Sequence, residues 1–63
     1  MANALEVWAA SRERAARDLA KQAANLADQG CNHDAAHLRS AARSLTVKAV
    51  HERARAAALR SAA

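Results

Sequence analysis

Sixty-three residues with one Cys and no Pro, Phe, Tyr or Ile make a single small domain, near the lower limit of what one core stabilises. Twenty-one alanines, against three Val and one Thr, exclude a β-sheet protein, because Ala is the best helix former and β-branched residues carry strands. The formal charge is +4, and the lone Cys31 excludes an intrachain disulfide and suits a reducing compartment. The opening Met1–Ala10 has no basic region ahead of an apolar run, and no stretch approaches the ~20 apolar residues of a membrane span. The expectation is an all-α cytoplasmic protein with no membrane contact.

The first helix is expected from about residue 4 to about 29. Asn3 is placed to cap it, with Glu6 three residues later in capping-box position. Leu5, Trp8, Arg12, Ala15, Leu19, Gln22 or Ala23, and Leu26 recur at spacings of three and four, which is the seam of a coiled coil.

The turn is expected at residues 30–32. Gly30 is the chain's only Gly, and a left-handed residue is what closes a helix. The surrounding stretch "DQGCNHDAAH", Asp28–His37, also holds Cys31, His33 and His37. These three are the candidate metal ligands, with His33 and His37 four apart on one helical face. A structural zinc site needs a fourth ligand, and the remaining His51 lies several turns away. A Cys–His nucleophile needs an oxyanion hole and a pocket, for which a two-helix hairpin has no room. The stretch therefore reads as a turn, with no metal, cofactor or catalytic residues assigned.

The second helix is expected over about 33–61, with Asn32 as its cap and Asp34 in its first turn. Its seam is Leu38, Ala41 or Ala42, Leu45, Ala49, Glu52, Ala56 and Leu59. Folding back at Gly30 pairs residues whose numbers sum to 64: Leu26 with Leu38, Leu19 with Leu45, Ala15 with Ala49, Trp8 with Ala56, Leu5 with Leu59. Arg12 and Glu52 sum to 64 as well, and each interrupts its own apolar stripe. Opposite charges at matched heights neutralise each other, so the two read as an ion pair that helps set register. The run Leu26–Leu45 resembles a tetratricopeptide-repeat turn at Gly30, Ala35, Ala42 and Leu45. The aromatic positions, closing Pro and second repeat of such arrays are missing, and the resemblance implies only a helical hairpin.

A second stripe on the same helix, Val47, Val50, Ala54 and Ala57, has Ala9, Ala16, Ala20 and Ala27 as its counterpart on the first. One hairpin cannot cover both stripes, so the fold expected is an antiparallel two-helix hairpin that dimerises into a four-helix bundle. The charge is uneven. The first helix balances Arg12, Arg14, Arg17 and Lys21 with Glu6, Glu13, Asp18 and Asp28, whereas the second sets six cations against Asp34 and Glu52. On a helical wheel Arg39, Arg43, Arg53 and Arg60 share one side. That face suits a nucleic acid or an acidic partner. With no phosphate loop, dinucleotide fingerprint or spaced carboxylate pair, the expected function is a non-enzymatic, self-associating interaction or regulatory protein. The alternative is a nucleic-acid-binding regulator using the Arg face.

Overall fold

The computed structural model describes residues 2–62. Helix α1 runs Ala2–Asp28 and helix α2 runs Asn32–Ala62, and the two pack against each other as a hairpin. The Cα radius of gyration is 14.6 Å over a rod of 51 × 13 × 10 Å. A globular chain of this length has a radius near 11 Å, so the hairpin is extended and leaves most of its surface uncovered.

The turn occupies residues 29–31, one position earlier than expected. Cys31 N–H donates to Leu26 O at 2.8 Å, and Gly30 N–H to Ala27 O at 3.0 Å. These are the paired bonds that close a helix around a left-handed residue, and Gly30 holds φ of +84°. Both helices start earlier than expected. Asn3 lies inside α1 and does not cap it. Asn32 is the first residue of α2, and the Cys31 carbonyl accepts the first bond of that helix, from Ala35 N–H at 3.0 Å.

The seam follows spacings of four and three throughout. On α1 it comprises Leu5, Ala9, Arg12, Ala16, Leu19, Ala23 and Leu26, each buried or half-buried. Beyond Cys31 of the turn, on α2 it comprises Ala35, Leu38, Ala42, Leu45, Ala49, Glu52 and Ala56. Alanine thus recurs every seven residues on both helices, alternating with a larger side chain. The alanines are the deeply buried residues: Ala9, Ala23, Ala35 and Ala56 are fully enclosed. Small side chains at a repeating seam position let two backbones approach closely, and that approach covers the Ala row more completely than the Leu row.

Trp8, Ala15 and Leu59 are corrected as seam positions, and of the expected alternatives Gln22 or Ala23 the seam takes Ala23. Ala9, Ala16 and Ala23 face α2, while Trp8, Ala15 and Gln22 stay exposed. Trp8 is too large for an Ala-spaced contact and stands 52 % exposed at the edge. Leu59, near the open end, is exposed as well. The Ala9–Ala27 band is not a free face either, since Ala9 and Ala16 are consumed by the hairpin's own seam.

Candidate functional site

Three features outside the Ala seam carry polar or binding chemistry. The first is the charged layer within the seam. Arg12 Nε–H donates to Glu52 Oε1 at 2.8 Å, with Glu52 the more enclosed partner. Each residue sits where its helix otherwise presents Leu. An unpaired charge there is costly, and a partner four turns away in height cannot be reached, so the pair favours one register. The pair is partly solvated, which keeps its coupling near or below about 1 kcal/mol. In a double-mutant cycle, Arg12→Ala and Glu52→Ala should each destabilise, with the double variant costing less than their sum. A coupling indistinguishable from zero, measured by denaturant unfolding, would remove the pair as a register device.

The second feature is a ladder along one edge. Arg53 donates twice to Glu13, Nε–H to Oε2 at 2.9 Å and Nη2–H to Oε1 at 2.6 Å. Arg60 pairs with Glu6 one heptad away. Hydrogen bonding from Arg53 holds the Glu13 carboxyl below its ordinary range, ahead of a weaker opposing desolvation and the attraction of Arg53 and Arg17. The same carboxylate raises Arg53. Because the folded-state value of Glu13 is depressed, its contribution to stability is present above the ordinary carboxylate range and is lost as pH falls through the lowered value. A carbon-detected NMR titration should find the Glu13 midpoint below that of an unpaired glutamate, and Arg53→Ala should raise it toward the ordinary value, with the weaker attraction of Arg17 remaining.

The ladder revises the expected basic face. Arg53 and Arg60 are neutralised within the chain, whereas Arg39 and Arg43 line an open groove with Arg17 of α1. The groove is floored by Ala16, Ala20, Ala42 and Thr46 and encloses about 560 Å³. Of the ladder acids, Glu6, expected in a capping box, pairs instead with Arg60, and Glu13, expected only as part of the charge balance of the first helix, pairs with Arg53. Their signal is the seven-residue recurrence of Glu6 and Glu13 against Arg60 and Arg53, with both pairs summing to 66.

The third feature is the turn. The His33 and His37 rings meet edge to face with centroids 4.7 Å apart and Nε2 atoms 3.3 Å apart. Both rings are exposed, and Cys31 is half-buried at the end of the seam. Among the described residues no group of three or more His, Cys, Asp or Glu lies together where it would hold a metal ion. The outer stripe of α2 is uncovered: Val47 is 53 % and Val50 61 % exposed, and Ala54 and Ala57 are exposed beside them. Among the described residues no helix is long and apolar enough to cross a membrane.

Comparison with protein-family models, with curated proteins and with solved structures finds no match to this chain.

Proposed function

We propose that this chain is a small non-enzymatic interaction protein, a helical hairpin that self-associates into a four-helix bundle and acts by binding a partner macromolecule. The observation that carries this reading is the distribution of large apolar side chains. The deep core of the hairpin is Leu5 and six alanines, while Val7, Trp8, Val47, Val50 and Leu59 all stand exposed. Full burial of a Leu or Val contributes about 1.5–3 kcal/mol, and among the described residues none of the large side chains is fully enclosed. A two-helix chain with so little apolar burial does not offset its conformational entropy alone.

The apolar residues of α2 also run around its circumference. The seam takes Leu38, Leu45 and Ala49, and the outer side holds Val47, Val50, Ala54 and Ala57. A helix apolar on opposite sides belongs in the interior of a bundle, with packing on both sides. A second copy related by a two-fold axis supplies that packing without any other chain. A non-enzymatic role is supported by the shape of the hollows, which are open grooves along the helices, the arginine-lined one included, and not enclosed pockets. The half-buried free thiol of Cys31 suits a reducing compartment such as the cytoplasm.

Sedimentation equilibrium at micromolar concentration tests the self-association. The expected species has twice the mass of the chain, and its thermal midpoint rises with concentration. A cooperatively folding species of single-chain mass would overturn the proposal.

A further inference from the structure

The ladder along the hairpin's edge has a gap, and the unneutralised charge is concentrated there. On α1 the edge positions recur every seven residues as Glu6, Glu13, Ala20 and Ala27. On α2 the facing positions are Arg60, Arg53, Thr46 and Arg39. The first two arginines find their acids, Glu6 and Glu13. Arg39 falls opposite Ala27, and the truncation at Ala20 opens the groove that Arg39, Arg43 and Arg17 line together. Among the described residues, none of these three guanidinium groups forms an ion pair with a carboxylate. Glu13, at the groove's end, is already held by two bonds from Arg53. The fold therefore satisfies one half of the edge internally and leaves the other half cationic.

We propose that this groove binds the phosphate backbone of a nucleic-acid duplex, with Arg17, Arg39 and Arg43 each taking a phosphate. The proposal rests on the reading of the chain as a partner-binding protein and names the partner's chemical class. It does not require self-association, although Arg43 also borders Val47 of the outer stripe, so a dimer formed through that stripe would stand beside the groove.

Arginine suits this ligand because its planar fork donates two parallel bonds to a phosphate and stays charged at any physiological pH. The groove is open along a rod-shaped molecule, which fits an extended polyanion. Its floor is three alanines and Thr46, with none of the buried aromatic or aliphatic anchors that dominate protein–protein contacts. That composition favours a ligand recognised by charge over an acidic protein. No aromatic side chain lies in the groove, and on a helical wheel Trp8 falls on the opposite edge of the seam. Unpaired bases thus have no ring to stack on, so backbone contacts to a paired duplex are the mode that remains. Such binding is independent of sequence.

The test uses the full chain, with its oligomeric state checked by sedimentation, and labelled duplexes of mixed sequence, about 20 base pairs of DNA or RNA. Fluorescence anisotropy reads the binding. Three phosphate contacts give a slope of log affinity on log salt of about −2.7, or about 40-fold weakening between 50 and 200 mM salt. Arg39→Ala and Arg43→Ala should each weaken binding several-fold on every duplex and flatten the slope by about 0.9. Both residues are exposed, and circular dichroism verifies that the variants stay helical. Arg55→Ala removes the same charge from the other edge of α2 and should leave the slope unchanged.

Equal loss from Arg55→Ala and Arg39→Ala would mean diffuse attraction and would overturn the groove as the site. Tighter binding to polyglutamate than to duplex would overturn the nucleic-acid assignment and leave the partner-binding reading standing. Absence of binding to either polyanion at 50 mM salt and micromolar protein would overturn the site itself.

Discussion

Val50→Asp is expected to dissociate the protein and unfold it in a single transition. Val50 lies on the outer side of α2 and is 61 % exposed in the single hairpin. On a surface that stays in water, this change would shift stability by no more than about 0.5 kcal/mol, since Val and Asp have similar helix propensities. In a bundle where two copies of α2 meet through Val47, Val50, Ala54 and Ala57, two carboxylates would enter an apolar contact without a partner. An uncompensated buried charge costs about 3 kcal/mol or more, which is more than about 100-fold in dissociation constant. The hairpin's own deep core is Leu5 and six alanines, so loss of the second copy removes much of the core and helicity falls with it. Sedimentation and circular dichroism on the same samples check this. A Val50→Asp variant that keeps wild-type mass and melting would show that solvent faces this stripe.

The second large effect is at the seam. Ala16→Leu is expected to destabilise the hairpin by about 2 kcal/mol, whereas Ala15→Leu should change stability by less than about 0.5 kcal/mol. Ala16 is buried against α2, and Ala15, the next residue, is exposed. The residue at matching height on α2 is Ala49, itself buried. Ala16 is buried on the α2 side, so added methylenes must either part the helices and loosen the neighbouring alanine contacts or turn out over the groove that Ala16 floors. Helix propensity does not confound the comparison, because both variants make the same replacement in the same helix. Urea unfolding of the two variants decides it. Stabilisation by Ala16→Leu would show a seam with room for Leu and would refute close approach of the helices.

These two variants also mark where local pattern stops being informative. The all-helical chain was legible in its Ala content and lack of Pro, because helix formation depends on each residue's own backbone preference. The break at Gly30 was legible for the same reason, since a left-handed residue closing a helix is a local requirement. So was the fold-back register, because Leu26, Leu38, Leu19 and Leu45 repeat at the right heights around the turn. The segregation of net charge onto the second helix follows from composition alone.

The phase of the seam was not legible. Spacings of three and four starting from Leu5 can pass through Trp8, Ala15 and Gln22 or through Ala9, Ala16 and Ala23. Both routes share Leu5, Arg12, Leu19 and Leu26. Hydrophobicity prefers the route with Trp8, and the structure takes the route of small residues. Which of two adjacent positions is buried depends on the direction from which the partner helix approaches and how near it comes, and neither is a property of one helix. The same holds for the basic face. A wheel groups Arg39, Arg43, Arg53 and Arg60 together, but whether each is neutralised depends on what stands opposite. That is Glu13 for Arg53, Glu6 for Arg60 and Ala27 for Arg39. Propensity and period are encoded residue by residue, so the sequence by itself determined two helices, their turn and their charge. The Arg12–Glu52 pair was legible because both charges interrupt their apolar stripes at matched heights, whereas packing phase and the neutralisation of the edge arginines are relations between elements, and only the tertiary structure decided them.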